Sequence, residues 1–489
     1  MDRQLLISAG PGEWRAALLE TGVPVEFFVE RGDRSEAGSI HLSRVARLLP
    51  ALGAALVDIG GGRPAFLPQN EVLPRGRRLH EGERVVVQVR REAQAGKAAR
   101  VTTAASLRGR FVELIVGRPG FKGGEALAPN ERNQLLSSLT TLTHPSRSLS
   151  SGRALRGPVG AGSPLSRTAG EGAERSEAGE GAAGLRLLED APVIAFRDEM
   201  EALIARWNDT LERAWQLDPP ARLDPVASFA AALAGSLPRA ANEILVDDPA
   251  AIPELRAAFP DSAVAHLPET EWPIDLDAVF DEALSATLAL SGGGSVHFEA
   301  TRAGMLIDVD TGTPETGSPE RTGLTANLAA AGTIARQIRL RNLGGGLVVD
   351  FVGLDSRSAR EKVRASFAEA LAADPAAPQL LGWTRLGHLE LVRPRRGRTL
   401  AEALLEPRPG GALVKTAVTV SHEALRAVRR AARTQPGRRW RLTVAPEVAA
   451  ALAGAAADAV RQAEQRFARS IAIEADPGYH HERFQISAL

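Results

Sequence analysis

The chain contains no cysteine among its 489 residues, and this absence excludes thiolate zinc sites, disulfide bonds and cysteine nucleophiles. Aromatic residues make up only 4% of the sequence, so any platform on which nucleobases stack must be small. No window approaches the roughly 20 apolar residues of a membrane-spanning helix, and the first residues lack a basic stretch followed by a long apolar run. We therefore expect a cytoplasmic protein without a membrane partner.

Charge of either sign is not in excess, because 59 Lys and Arg residues balance 59 Asp and Glu residues. Net charge thus argues neither for nor against a nucleic-acid partner. Hydrophobic residues at 44% and charged residues at 24% are ordinary for a soluble globular protein. The length exceeds what one hydrophobic core supports and suggests about three or more modules.

Short strands separated by glycine and proline dominate the first hundred residues. Residues 5–31 contain three such strands, and residues 38–104 contain about five, which predicts a small closed barrel such as an OB fold. The tract 144–184 is rich in Ser, Gly, Arg and Ala and has almost no large apolar residues. Because it cannot bury enough surface to offset the entropy of ordering, we predict that most of it is disordered.

Helical periodicity returns at residues 196–215 and from there alternates with strands. Residues 237–260 are typical of a helix, a strand and a helix, and residues 275–286 form an amphipathic pattern. A hairpin, a long helix and a buried strand follow over residues 295–354, and residues 418–489 again alternate helices with strands. The prediction is an α/β protein of several subdomains, the last of them small.

Two carboxylates stand two positions apart in the stretch "GMLIDVDTG", where Asp308 and Asp310 would project from the same face of a strand. A helix then leads to the strand "LVVDFVGL", which carries Asp350. A strand–helix–strand crossover places its strands parallel and close, so Asp308 and Asp350 are expected to meet. Converging carboxylates repel one another, and Mg²⁺, which prefers oxygen ligands, relieves that repulsion. The alternative is turn chemistry, because Asp is common where a strand enters a turn.

The intervening helix adds Arg336, Arg339 and Arg341, the first two on one face. Arg336 and Arg339 are candidates for contact with a phosphodiester. The alternative is that they form the solvated face of an amphipathic helix.

Three segments of this region resemble the ribonuclease E/ribonuclease G family of endoribonucleases: "MLIDVDTG", "ANLAAAGTIARQIRLRNLGGGLVVDFVGL" and "LGHLELVRPRRGRTL". In the N-terminal half, "SRVARLLPALGAALVDIGGGRPAFLP" and "GKAARVTTAASLRGRFVEL" resemble the OB-type RNA-binding barrel of that family. The resemblance covers most of residues 1–405, apart from the tract near 144–184.

The resemblance implies a ribonuclease-H-like subdomain with an inserted OB-type β-barrel and a deoxyribonuclease-I-like α/β catalytic subdomain. It implies these boundaries: 1–36 and 191–277 for the two parts of the ribonuclease-H-like subdomain, 37–108 for the barrel, 109–190 for a degenerate 5′-phosphate-sensing region and 278–405 for the nuclease subdomain. Beyond the resemblance, the alternation of helices and strands predicts a small C-terminal α/β domain at 406–489.

The implied activity is Mg²⁺-dependent cleavage of single-stranded RNA to 5′-phosphate and 3′-hydroxyl ends. Asp308 and Asp350 match the two metal-binding aspartates of the family. Asp310 falls where the family usually has an Asn that orients the scissile phosphate, so it is a catalytic candidate that adds negative charge beside the substrate. The paired-cysteine zinc link of the family cannot exist here, and "LLEPRPGGALV" stands in its place. Any homodimer must form without it.

Further RNA contacts follow from the resemblance. Phe66 matches an RNA-stacking aromatic, with a barrel-core aromatic as the alternative, whereas Leu56 replaces a second stacking residue. Lys97 matches a phosphate contact, with a solvated loop lysine as the alternative. A basic segment expected beside the active site corresponds to Arg393, Arg395 and Arg396, for which an exposed basic turn is the alternative.

The 5′-phosphate pocket of the family uses an Arg–Thr pair after an apolar strand. Arg167 and Thr168 match the two letters, but "AGSPLS" precedes them instead of a strand. Coincidental similarity and a replaced pocket are therefore the alternatives to a working sensor.

The sequence thus predicts an endoribonuclease whose candidate substrates are single-stranded RNAs, with ribosomal RNA precursors and messenger RNA among them. A first alternative is an RNA-binding relative that has lost turnover, which Asp310, Leu56 and the missing zinc link motivate. A second is a metal-dependent phosphatase or nuclease acting on DNA.

Overall fold

A computed structural model describes residues 2–31, 38–60, 62–93, 98–109, 111–123, 127–139, 142, 183–188, 191–224, 228–237, 241–312, 319–408 and 411–489. Lys97, Arg167, Thr168 and nearly all of the tract 144–184 lie outside these residues. The chain divides into two compact units, one of residues 1–34 and 227–489 and the other of residues 35–226.

The strands are, in chain order, β1 (Arg3–Ala9), β2 (Glu13–Glu20), β3 (Val23–Arg31), β4 (Ile40–Leu49), β5 (Ala54–Asp58), β6 (Ala65–Pro68), β7 (Arg84–Arg91), β8 (Arg100–Thr102), β9 (Ser106–Arg108), β10 (Val112–Val116), β11 (Gly120–Lys122), β12 (Ala183–Leu187), β13 (Ala221–Arg222), β14 (Glu243–Val246), β15 (Ala263–His266), β16 (Thr287–Ala289), β17 (Ser295–Ala300), β18 (Met305–Asp310), β19 (Gly345–Asp350), β20 (Gln379–Trp383), β21 (Leu389–Arg393), β22 (Leu405–Pro407), β23 (Leu413–Lys415), β24 (Trp440–Val444), β25 (Ile471–Ala475) and β26 (Phe484–Ala488).

The helices are α1 (Pro129–Ser138), α2 (Val193–Gln216), α3 (Phe229–Ser236), α4 (Ile252–Ala258), α5 (Leu276–Leu284), α6 (Pro319–Leu340), α7 (Arg357–Leu371), α8 (Leu400–Leu404), α9 (Ala417–Thr434), α10 (Pro446–Ala453) and α11 (Ala457–Phe467). None of the helices in the described parts of the chain is long and apolar enough to cross a membrane.

The first unit begins with a mixed sheet in the order β15-β14-β1-β2-β3, in which β1, β14 and β15 are parallel and β1, β2 and β3 are antiparallel. Successive residues of β1 point to opposite faces, and both faces are covered. Leu5 and Ile7 pack under α3 and α4, whereas Leu6 packs with α5 and α8. This burial on both sides explains why β1 is apolar almost without interruption.

A six-stranded sheet in the order β16-β17-β18-β19-β21-β20 follows in the same unit. It has one covered face, where residues such as Ile307 and Val349 pack against α6 and α7. The predicted hairpin, long helix and buried strand are β17–β18, α6 and β19. Gly304, in the hairpin turn, is required by close approach, because a Cβ there would lie 2.3 Å from the carbonyl oxygen of Gly346. The opposite face of this sheet carries the polar residues of β18 and β19.

The last part of the unit is a three-stranded sheet in the order β25-β24-β26, packed with α9, α10 and α11 around one core. It confirms the alternation of helices and strands predicted for 418–489. The strands β22 and β23 pair in antiparallel register from Leu405 with Lys415 to Pro407 with Leu413.

The second unit contains a closed barrel of five strands, in the order β4-β5-β6-β8-β7 with β7 returning to pair with β4. The barrel predicted for residues 38–104 is thereby confirmed, whereas its assignment as an OB fold stays a prediction. A second sheet, β11-β12-β10-β9, packs against α2. Helix α2 thus packs within the second unit, and the predicted boundary at 191 stays a prediction. Strand β12 includes Ala183 and Gly184, the last two residues of the tract predicted to be mostly disordered.

Candidate functional site

The predicted carboxylates meet on the open face of the six-stranded sheet. Strand β18 runs parallel to β19 in a register that pairs Asp308 directly with Asp350. Neighbouring strands lie about 4.8 Å apart, so two side chains at paired positions on one face are neighbours. Both aspartates are exposed, while the alternating residues Ile307 and Val349 are buried beneath them. The crossover through α6 thus produces the pairing that the sequence pattern predicts.

The same register extends into a polar row across the sheet. His297 on β17 pairs with Asp308, and Thr287 on β16 pairs with His297, to whose Nδ1 its hydroxyl is hydrogen-bonded at 2.8 Å. On the other side, His388 directly precedes β21, and its Nε2 lies 3.6 Å from Oδ2 of Asp350. Across the sheet, this polar row consists of Thr287, His297, Asp308, Asp350 and His388. The sequence reasoning missed both histidines, because only the register of four strands brings them beside the aspartates.

Asp310 occupies the end of β18, on the same face as Asp308 and opposite Ser295 of β17. Its Oδ1 accepts a hydrogen bond of 2.9 Å from the backbone N–H of Gly312. This contact is the turn chemistry considered as the alternative for the acidic stretch. The two acids of "LIDVD" therefore differ, because Asp310 is tied into the turn and Asp308 is not.

The chemistry of this donor set fits a hard divalent cation. Mg²⁺ takes oxygen ligands, is commonly held by one or two carboxylates and keeps several waters. Asp308 and Asp350 are exposed, so an ion held between them would be accessible to water. Within the described ranges, no three carboxylate or imidazole side chains already converge into a closed metal site. The pair therefore fits an ion that is coordinated largely by water.

Two of the predicted RNA-contacting arginines are structural, and that prediction is wrong for them. Arg339 is 6% exposed, and its guanidinium donates to Glu20 at 2.9 Å and to Glu26 at 2.7 Å. Arg393 is 3% exposed, and its Nε donates to Asp374 at 2.6 Å. Each guanidinium is buried against carboxylates of its own unit, which leaves it neither exposed nor available to RNA. The alternative of a solvated helix face is equally wrong for Arg339.

Arg336 also has partners within its own unit: it forms an ion pair with Glu282 and donates a hydrogen bond of 3.3 Å to the carbonyl of Pro24. Arg395 and Arg396 are exposed, in agreement with a basic surface turn. Their position differs from the expected one beside the active site. The register of β19 and β21 pairs Arg393 with Gly345, five residues before Asp350, which corresponds to roughly 16 Å along the strand.

In the second unit, Phe66 is half-buried on β6 and lines a surface groove of about 660 Å³. Strand pairing sets Leu56 on one side of Phe66 and Arg100 on the other. Arg75 lines the same groove. An aromatic face between an aliphatic side chain and two cations suits a nucleotide, with the base on the ring and the phosphate at the guanidinium groups. Sequence reasoning found Phe66 but missed Arg75 and Arg100.

A second acidic cluster lies in the first unit, at the carboxyl ends of the parallel strands β1 and β14. The hydroxyl of Ser8 donates to Asp247 at 2.9 Å and contacts Glu269 at 2.6 Å. Arg429 of α9 forms ion pairs with both carboxylates, at 2.8 Å from Glu269, and is 1% exposed. Burial raises the pKa of Asp247 despite the neighbouring guanidinium. This cluster is thus closed by a cation of the chain itself.

Helix α9 contributes further to this closure. Arg426 donates to Ser8 Oγ at 2.6 Å and to the carbonyl of Glu13 at 2.8 Å. Glu13 is fully buried and also accepts from Arg15 and Arg31, each at 2.7 Å. Burial alone would raise the pKa of Glu13, but these guanidinium groups hold it well below its ordinary value.

Comparison with known proteins connects the site to a family. A model of the ribonuclease E/G family matches residues 188–396, a segment that contains Asp308, Asp310 and Asp350. The chain is 26% identical to ribonuclease G of Salmonella typhimurium over 514 aligned positions, with 99% of both chains covered. It is 25% identical to ribonuclease G of Haemophilus influenzae, again with 99% of each covered. Ribonuclease E of Synechocystis is 29% identical over 78% of this chain and 56% of its own length.

Proposed function

The chain belongs to the ribonuclease E/G family, and on this premise we propose that it is an endoribonuclease that cleaves single-stranded RNA to 5′-phosphate and 3′-hydroxyl ends. The observation that carries the proposal is the exposed pair Asp308 and Asp350, joined in register on adjacent parallel strands. Similarity to ribonuclease G over nearly the whole chain supports RNA as the substrate.

Asp308 and Asp350 would hold Mg²⁺ through their carboxylate oxygens. The chemistry that Mg²⁺ supplies when bound is activation of a water and neutralisation of charge on the phosphodiester. The chain contributes rigidity, since both aspartates stand on paired strands whose opposite face is buried against α6 and α7. The backbone positions from which the two carboxylates reach an ion are therefore fixed by the sheet.

Asp310 would stand beside the RNA at the carboxyl end of β18. Its negative charge repels a phosphate in that position, so we propose that it weakens substrate binding without taking part in the reaction. The hydrogen bond from Gly312 keeps its carboxylate at the turn.

The barrel would bind RNA through the groove at Phe66, with a base stacked on the ring and phosphates at Arg75 and Arg100. We expect Phe66→Ala to weaken binding of a single-stranded oligonucleotide by about 1–3 kcal/mol. Leu56→Ala is the matched control, because it removes an aliphatic neighbour on the same row and leaves the ring. Fluorescence anisotropy checks both, and equal effects would contradict stacking at Phe66.

The second candidate function is RNA binding without turnover, which Asp310 and Leu56 favour because each departs from the family pattern. One experiment separates the two functions. A 5′-monophosphorylated single-stranded RNA, its 5′-hydroxyl form and the equivalent DNA are incubated with the wild type and with Asp308→Asn, with and without Mg²⁺, and the product ends are mapped by mass spectrometry.

The proposal predicts Mg²⁺-dependent 5′-phosphate products from RNA with the wild type and none with Asp308→Asn. Equal cutting by both proteins would contradict the assignment of the ion site. Tight RNA binding with no Mg²⁺-dependent product would establish the non-catalytic alternative, and cutting of DNA alone would establish the DNA-specific one.

A further inference from the structure

The imidazole of His388 lies beside the pair Asp308 and Asp350. Its Nε2 lies 3.6 Å from Oδ2 of Asp350, a separation too long for a hydrogen bond. Two atoms that bind one ion at about 2.1 Å, at the angles of octahedral or tetrahedral coordination, lie about 3.0–3.4 Å apart. The observed separation is therefore close to that of two neighbouring ligands.

The backbone at His388 is held on both sides while its ring remains accessible. Its N–H donates to Thr384 Oγ1 at 3.1 Å, and its carbonyl accepts from the N–H of Thr384 at 2.8 Å. Leu389, the next residue, is fully buried, which turns His388 to the open face of the sheet. The side chain is one-third exposed, so it reorients towards an ion at small cost.

His297, at the opposite end of the row, differs in this respect. Its Nδ1 is hydrogen-bonded to the hydroxyl of Thr287, on the strand that lies away from the aspartates. This contact draws the ring away from Asp308. The two histidines of one row are thus a natural pair of test and control.

We propose that His388 is a ligand of the ion held by Asp308 and Asp350, so that the site binds a first-row transition ion such as Mn²⁺ more tightly than Mg²⁺. Imidazole nitrogen is a good ligand for transition ions, whereas Mg²⁺ takes oxygen. The inference rests on the proposed ion site. Asp308 joins the set by rotation of its exposed side chain, since the three groups do not converge before the ion binds.

The test uses the full chain without RNA and Mn²⁺ as the probe. Electron paramagnetic resonance titration gives the affinity of Mn²⁺, and electron spin-echo modulation detects a directly bound nitrogen. The proteins are the wild type, His388→Leu, the matched control His297→Leu, and Asp350→Asn, which removes the ion site. Circular dichroism melting verifies that each variant is folded.

We expect nitrogen modulation in the wild type and in His297→Leu and none in His388→Leu, whose Mn²⁺ affinity falls about tenfold. The Mg²⁺ affinity, measured by competition, should change less than about twofold in His388→Leu, because Mg²⁺ does not use the nitrogen. Loss of one bound Mn²⁺ in Asp350→Asn would place the ion at the pair.

Mn²⁺ bound at Asp350 without nitrogen modulation would overturn the role of His388 and leave the ion site of the proposed function intact. Modulation that survives in His388→Leu would likewise overturn it. If Asp350→Asn binds Mn²⁺ as the wild type does, the ion site itself is wrong, and the inference fails together with the proposed metal assignment.

Discussion

Two acidic clusters lie at the carboxyl ends of parallel strands, on two different sheets of the same unit, and they differ in what faces them. Asp247 at the end of β14 is buried and paired with Arg429 from α9. Asp308 and Asp350 are exposed, and within the described residues neither forms an ion pair with an arginine or lysine, while His388 lies 3.6 Å from Asp350. A buried carboxylate needs a partner from the chain, whereas an exposed pair remains available for an ion from solution. On this difference we base the proposal that the first cluster is structural and the second carries the chemistry.

The largest effect expected from this comparison is on activity. Asp350→Asn should lower the rate of RNA cleavage at least about a hundredfold, because it removes one of two carboxylates at the reacting centre. The melting temperature should stay within about 2 °C, since the residue is exposed. Asp355→Asn, an exposed carboxylate after the same strand, is the control and should cleave as the wild type does. A large fall in melting temperature for Asp350→Asn would make this pair structural as well.

The converse effect is expected at the buried cluster. Arg429→Met should lower the free energy of unfolding by about 3–5 kcal/mol, because it leaves Asp247 buried without its cation. Arg430, the next residue of α9, pairs with Glu269 and Asp277 but is 44% exposed. Arg430→Met should therefore cost about 1 kcal/mol or less. Urea denaturation compares the two, and equal losses would show that burial does not distinguish the clusters.

The sequence alone could not separate these clusters, because "EILVDDP" and "MLIDVD" each place acids after an apolar strand. What distinguishes them is α9, whose Arg429 comes 182 residues after Asp247. The strand–helix–strand pattern did predict the register of Asp308 and Asp350, since local periodicity and crossover topology determine it. The prediction of an RNA contact is wrong for Arg339 of α6 because its carboxylate partner Glu20 lies 319 residues away in the sequence, where local periodicity gives no signal.

A smaller effect is expected in how the folding stability depends on pH, through His422 of α9. Burial lowers the pKa of His422 below its ordinary value, although Glu13 acts in the opposite direction. Below the ordinary imidazole pKa of about 6.5, the unfolded chain therefore binds a proton that the folded chain does not. Stability through His422 is full above that pH and falls as the pH decreases, by at most about 1.4 kcal/mol per unit.

Urea denaturation between neutral and mildly acidic pH measures this slope in the wild type and in His422→Gln. In His422→Gln, part of this slope should be lost. The glutamine amide takes the place of the His422 Nδ1 atom, which lies 3.3 Å from the carbonyl oxygen of Pro11 in the wild type. An unchanged slope would mean that His422 does not contribute.

The smallest effect is expected at Asp310. Asp310→Asn removes one negative charge near the bound phosphate, which at about 6 Å in water is worth about 0.7 kcal/mol. We expect kcat/KM for RNA to rise about threefold at low salt and the gain to shrink as salt is added. The amide oxygen can still accept from Gly312, so stability serves as the internal control. A fall in kcat/KM would instead make Asp310 part of the ion site.

One measurement compares the two clusters directly. Single-turnover cleavage of a single-stranded RNA is followed against Mg²⁺ concentration for the wild type, Asp350→Asn and Arg429→Met, at a temperature where all three are folded. We expect Arg429→Met to keep the Mg²⁺ dependence and the rate of the wild type, whereas Asp350→Asn should lose both. Cleavage that persists in Asp350→Asn and disappears in Arg429→Met would contradict this expectation and place the chemistry at Asp247.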